Sequence, residues 1–149
     1  MNEKIKVLII DDSALIRELL GNMLSGDPEI EVVGKASDAY FAIDKIKNLK
    51  PDVITLDIEM PKVNGLVFLE NLMKSNPMPV IVISSLAEEG SEVAIKTLEL
   101  GAIDCILKPR TEISETFPGL QAEIIQKIKE AYYAGEKIRK QKKSVKSII

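Results

Sequence analysis

A chain of 149 residues with a net charge of −3 and 46% apolar content is long enough for one domain with a real core. It has no histidine, which excludes a Ser-His-Asp triad, a Cys-His pair and a His-ligated zinc, and leaves carboxylate, hydroxyl and lysine chemistry suited to hard cations such as Mg²⁺. The lone Cys105 excludes an internal disulfide, no apolar stretch has bilayer-spanning length, and the start MNEKIKVLII lacks a signal-peptide pattern, so a cytoplasmic location is expected.

In chain order the sequence alternates strand and helix. Residues 4–10 predict a strand, and 13–25 a helix with Leu15, Ile16, Leu19, Leu20, Met23 and Leu24 at helical spacing behind a Ser13 N-cap. IEVVG predicts a short second strand, and Ala39, Ala42, Ile43 and Ile46 mark a second helix. Pro51 punctuates before a strand over 52–57, and after the turn MPKVNG the residues Leu66, Leu69, Leu72 and Met73 stripe a third helix. PVIVIS, from Pro79 to Ser84, predicts a strand, followed by a helix across 88–100 that Gly101 would stop. IDCIL predicts a fifth strand. A last helix, about 119–140, carries Leu120, Ile124, Ile128, Ala131 and Tyr132 on one face and then dissolves into a basic tail. Lys137, Arg139, Lys140, Lys142, Lys143 and Lys146 form that tail with no acid among them; setting these six aside leaves −9 for residues 1–136.

Five strands alternating with five helices over short connections imply an α/β fold, a parallel sheet covered on both faces. Ligands of such sheets bind beyond the carboxyl ends of the strands. Asp11, Asp12, Asp57, Ser84 and Lys108 all stand at or just past such ends, so the fold would gather them at one rim. Three carboxylates brought together repel one another, and a cluster of oxygen ligands without histidine favours Mg²⁺ as the cation that relieves them. Lys108 adds a mobile charge and Ser84 a hydroxyl, so the set suits phosphoryl transfer. Taken singly, each has an ordinary structural reading. Asp12 can cap the next helix, Ser84 can be a turn hydroxyl and Lys108 a solvated charge, while Pro109 can break a turn or, in cis, aim Lys108 inward. Their joint placement at the ends of the first, third, fourth and fifth strands is what argues for a site.

LIIDDS, DVITLDIEMP…NG, VIVISS and LGAIDCILKP together resemble the signature of response-regulator receiver domains, over about residues 4–135. Within that superfamily, DDSALIRELL, DPEIEVVG, DIEMP and ISSLAEEGSEVAIKTLELGA resemble the receiver half of the CheB-type chemotaxis protein-glutamate methylesterases. The resemblance implies a doubly wound, flavodoxin-like sheet of order 2-1-3-4-5. It implies that Asp57 is the phospho-acceptor and that Asp12 ligates Mg²⁺ directly, with Asp11 acting mainly through water. The third protein ligand would be the backbone carbonyl of Glu59. Ser84 matches the switch hydroxyl and Lys108 the lysine that pairs with the phosphoryl group. The implied partners are a chemotaxis-type histidine kinase as phosphodonor and a methylesterase catalytic domain in cis.

Two departures stand out. Many receivers carry an aromatic where this chain has Cys105, which is read here as a buried structural cysteine and puts the usual aromatic switch in doubt. The methylesterase half is also missing, so the chain is either truncated or a receiver that acts alone. Residues 1–135 are expected to form the receiver, and 136–149 a basic helical extension or the start of an interdomain linker. The tail has no aromatic residue for stacking and belongs to no DNA-reading fold, which argues against a nucleic-acid partner. Three rival readings remain. A Mg²⁺-dependent aspartyl-phosphate phosphatase would want a D-x-D pair, but Glu59 holds the second position. A dinucleotide binder would want a Gly-rich loop where DDSA stands. A receiver with another output, DNA-binding or none, differs only in sequence downstream.

Overall fold

The computed structural model describes residues 3–108 and 117–148. Five strands, β1 (Ile5–Ile10), β2 (Ile30–Ala36), β3 (Val53–Leu56), β4 (Val80–Ser84) and β5 (Asp104–Leu107), form one sheet in the order β2-β1-β3-β4-β5. Every pairing is parallel, so each connection is a crossover helix and all carboxyl ends of the strands face the same edge. The helices are α1 (Ala14–Ser25), α2 (Ala39–Leu49), α3 (Gly65–Ser75), α4 (Glu92–Glu99) and α5 (Phe117–Ile148). The expected doubly wound, flavodoxin-like α/β architecture is the one observed.

The two faces of the sheet are sorted by the period-2 alternation of strands. Val7, Ile9, Val53, Ile81, Ile83 and Ile106 pack with Ile16, Leu20 and Leu24 of α1 and Ile124, Ile128 and Ala131 of α5. Leu8, Ile10, Ile54, Leu56, Val80 and Val82 pack with α2, α3 and the turn before β5 through Ala42, Ile46, Phe68, Leu69, Leu72 and Ala102. Because both faces are covered, the central strands read as continuous apolar runs rather than alternating ones.

Local signals set most of the helix ends. Ser13 accepts from the Ile16 backbone N–H at 3.3 Å, as its reading as an N-cap requires. Gly101 stands just past α4 at φ +112, a left-handed conformation that glycine adopts without a Cβ penalty, and its N–H returns to Leu98 O. The helix expected over 88–100, however, begins only at Glu92. Its cap is Ser91, whose hydroxyl accepts from Ala94 N at 3.1 Å, and Gly90 at φ +78 breaks the helical path before it. β2 runs two residues beyond the expected IEVVG, with a register shift against β1 between Val7 and Leu8. At the other end α5 continues to Ile148 rather than ending near 140: the tail is rich in Lys, Arg and Gln, good helix formers, and contains neither Gly nor Pro.

One group in the sheet is out of keeping with its surroundings. Thr55 in β3 is 1% exposed, pairs with Ile9 and Ile81, and its hydroxyl has no hydrogen-bond partner among the described residues. A buried hydroxyl left unpaired costs stability that an isosteric methyl would not. Thr55→Val is therefore expected to stabilise the chain by about 1 kcal/mol, read as a higher urea midpoint at an unchanged m-value. A lower midpoint would mean that the hydroxyl is hydrogen-bonded in solution.

Candidate functional site

The C-terminal edge of the sheet gathers the charged residues. Asp57 follows β3 directly, and its N–H donates to Ile10 O at 2.9 Å, one step past the last paired residues of β1 and β3. Asp11 is fixed in the same way on the other side of β1, its N–H donating to Ala36 O at 3.0 Å. Both carboxylates are nearly excluded from solvent, at 1% exposure for Asp11 and 2% for Asp57, while Asp12 is exposed. One oxygen from each of Asp11, Asp12 and Asp57 lies within 4.8 Å of the others, a spacing that one small cation bound by oxygens can bridge.

Lys108 reaches this cluster from the end of β5. Its backbone N–H donates to Ser84 O at 2.9 Å, and its ammonium lies 3.0 Å from an Asp11 oxygen and 3.1 Å from Asp57 Oδ2. One lysine thus faces two buried acids. Burial pushes Asp57 up to about 6; the charge of Asp11 adds to the rise, and Lys108 and the Glu59 N–H pull against it. Burial likewise raises Asp11 against the opposing pull of the Ser13 N–H and Lys108. Burial alone would lower Lys108, but its bonds to Asp11 and Asp57 outweigh that and hold its pKa above the ordinary value.

The other predicted residues are arranged less simply. The Ser84 hydroxyl is wholly buried and accepts from Leu86 N at 3.2 Å; among the described residues it makes no hydrogen bond to the carboxylates. Its arrangement here is that of a turn hydroxyl. Glu59 donates its N–H to Asp57 Oδ1 at 3.3 Å, and its own carboxylate turns to Ser85, accepting from the Ser85 hydroxyl at 3.3 Å. Cys105 is half-buried rather than fully buried, next to Thr97, with burial pushing its thiol up. The Lys108–Pro109 bond lies outside the described residues.

Sequence reasoning passed over three supports of the site. Arg17 donates from Nη1 to Asp11 O at 2.7 Å, and the Ser13 N–H donates to Asp11 Oδ1 at 2.8 Å, so the start of α1 orients Asp11 from two sides. Gly65 is the third. A Cβ there would come within 2.5 Å of Ile58 Cα and 2.7 Å of Asp57 O, so the backbone after Asp57 sits directly against α3. The NG in the turn motif hinted at a bend, but nothing in the sequence shows that close approach.

A family model described as "Response regulator receiver domain" matches residues 7–116. The chain belongs to that family. Over 128 residues it is 53% identical to the "Protein-glutamate methylesterase/protein-glutamine glutaminase" of Hydrogenovibrio crunogenus, covering 86% of this chain and 34% of that protein. A protein of the same description from Shewanella sp. (strain MR-4), numbered 2, is 54% identical over 130 residues, or 87% of this chain and 37% of the relative. The chain thus spans about a third of the length of the curated relatives it matches. The crystal structure of the response regulator domain of Thermotoga maritima CheB superposes with a TM-score of 0.80 at 45% identity, covering 88% of this chain and 98% of that one. A chain of the CheX-CheY-BeF3-Mg+2 complex from Borrelia burgdorferi superposes at 0.72 with 29% identity, over 87% of this chain and 90% of that one. Both recognitions made from the motifs, receiver and CheB-like receiver, agree with these findings.

Two outcomes follow for this receiver. Gly65→Ala would force the backbone around Asp57 to move and is expected to destabilise the fold by about 2 kcal/mol, measured by urea unfolding. A pH series tests the electrostatics. A carboxyl whose folded pKa, about 6, lies above its ordinary 3.8 holds its proton more tightly in the folded state. Its contribution to stability therefore falls as pH rises through that window. In EDTA, Asp57→Asn is expected to gain stability relative to the parent as pH rises from about 4 to about 7, and a pH-independent difference would contradict the raised pKa.

Proposed function

We propose that this receiver takes a phosphoryl group from a histidine kinase onto Asp57 and so controls a methylesterase catalytic domain in cis. The observation that carries the proposal is the aim of the Asp57 carboxylate. The backbone ladder between β1 and β3 fixes it at the rim, beside Asp11, Asp12 and Lys108. An Asp57 oxygen attacks the phosphorus of a phosphohistidine; the new O–P bond forms as the N–P bond breaks, and the electron pair stays with the imidazole nitrogen. The chain has no histidine of its own, so it is suited to receive rather than to donate.

Asp11, Asp12, Asp57 and the backbone carbonyl of Glu59 are the groups that would hold Mg²⁺. When bound there, the ion would neutralise charge on the phosphoryl oxygens and relieve the repulsion among the acids. The oxygen-only donor set and the Mg²⁺ named in the Borrelia burgdorferi complex support this choice of ion. Lys108, already at hydrogen-bond distance from Asp57, would turn to a phosphoryl oxygen, and the Ser84 hydroxyl would leave Leu86 N to do the same. The acyl phosphate would then bias a two-state equilibrium of the surface over 88–110.

The methylesterase output rests on the names of the relatives, and its chemistry would lie in the two thirds of their length that this chain does not span. A chemotaxis-type kinase as donor and a cytoplasmic setting go with that output. No described helix is long and apolar enough to cross a membrane. Residues 1–135 would be the receiver and 136–149 a basic helical extension leading to the next domain; the unbroken run of α5 to Ile148 supports the helical form of that extension. Nothing favours the phosphatase reading, since the carboxylate of Glu59 is engaged with Ser85.

Incubation with acetyl phosphate and Mg²⁺, followed by an intact mass, is expected to show one phosphoryl group per chain. The adduct should be absent with EDTA and absent in Asp57→Asn. An adduct that persists in that variant would place the acceptor elsewhere.

A further inference from the structure

Tyr40 and Phe41 are large apolar side chains left open to solvent, 61% and 55% exposed, in the first turn of α2. A core-facing role does not explain them, because α2 buries Ala39, Ala42 and Ile46 instead. α2 follows β2 in a parallel sheet, so its first turn lies at the same edge as Asp57.

Lys62 ties this turn to the acceptor loop. It lies between β3 and α3, five residues past Asp57, in a left-handed conformation at φ +70 that a residue with a Cβ adopts at a cost. Its ammonium is 3.3 Å from Asp38 Oδ2 and 6.0 Å from the Tyr40 ring centroid. Asp38 is itself buried and caps α2, accepting from Phe41 N at 3.0 Å. The aromatic pair and the loop that follows Asp57 therefore form one braced surface. Leu15 in the first turn of α1 and Val67 in the first turn of α3 add exposed apolar area at the same edge.

We propose that Tyr40 and Phe41, braced by Lys62, are a docking surface for the protein phosphodonor, the domain that presents phosphohistidine to Asp57. The proposal rests on the phospho-acceptor reading and adds to it where the donor binds. Continuity with the acceptor site identifies the occupant. The Asp57 carboxylate is only 2% exposed, so a histidine carried on a folded domain reaches it only if that domain closes over the rim. A domain so placed covers side chains bordering the rim, and exposed aromatic residues are the type that dominates interface energetics. A small acyl phosphate needs no such cover.

The test compares the two kinds of donor on the full chain. The double variant Tyr40→Ser/Phe41→Ser is phosphorylated with acetyl phosphate and, separately, with the pre-phosphorylated histidine-bearing domain of a chemotaxis kinase, across a range of domain concentrations. Transfer from the domain is expected to slow by about tenfold or more at low concentration, through a higher half-saturating concentration and with the maximal rate kept. Labelling by acetyl phosphate should not change, and Tyr40→Phe should behave as the parent. Equal transfer from the domain to variant and parent overturns the proposal, as does a parallel loss with both donors, which would place the effect in the acceptor site. Loss of a dimer with transfer from the domain intact would assign the surface to a second copy and also overturn it. A parent labelled by acetyl phosphate but by no phosphohistidine domain removes the occupant and with it the proposal. A parent labelled by neither donor is a different failure, that of the acceptor reading itself.

Discussion

Two buried carboxylates held beside Lys108 are the constraint that the rest of the structure has to accommodate. Asp11 and Asp57 have both been taken out of water, and Lys108 can neutralise only one negative charge at a time. Desolvation raises both acids, and neither is neutralised fully. Such a cluster is poorly satisfied as it stands. It becomes favourable when positive charge arrives, and that is the physical basis for reading it as a site rather than as part of the scaffold. The surrounding hydrogen bonds resist the repulsion. Arg17 and the Ser13 N–H hold Asp11, the Glu59 N–H holds one oxygen of Asp57, and the sheet holds the backbone of both.

The parallel topology makes that crowding possible without strain in the strands. β1 and β3 are neighbours at the centre of the sheet, so acids placed just after each must meet. β4 and β5 lie next in order, and the Lys108 N–H to Ser84 O bond locks their ends together. The central strands are buried on both faces and cannot easily shift register, because one step would exchange the residues packed on α1 and α5 for those packed on α2 and α3. A rigid apolar scaffold thus fixes a polar edge. The tightness of the fit is clearest at Gly65, where α3 presses on the backbone of Asp57 and Ile58 too closely for any side chain.

Much of this was legible in the sequence because the signals are long and mutually consistent. Apolar runs such as VLII and VITL, each ending on an acid, mark buried parallel strands and also the edge where a ligand binds. Helix ends were less legible. The start of α4 moved to Glu92 because a serine cap preceded by a left-handed glycine outweighed the run of acids before it. The end of α5 is only partly legible, because a charged tail reads as a helical extension or as a linker; its composition favours the helix, which runs to Ile148. Contacts between distant segments, such as Lys62 with Asp38 and Glu59 with Ser85, left no periodic trace at all.

Ser84 and Cys105 bear on how an edge event could reach the surface. With Cys105 in place of the usual aromatic, no ring is available at that position to swing between buried and exposed states. The structure contains another connection. The Ser84 hydroxyl accepts from Leu86 N, the carbonyl of Leu86 accepts from the Ser91 hydroxyl at 3.1 Å, and the same Ser91 oxygen caps α4 at Ala94 N. A hydroxyl drawn toward Asp57 would leave the Leu86 N–H without its acceptor. Leu86 would then have to find a new partner, and its movement would pull on the group that starts α4. Three successive hydrogen bonds thus link the floor of the site to the cap of α4, and a serine cap of this kind is worth about 1 kcal/mol to the helix it starts.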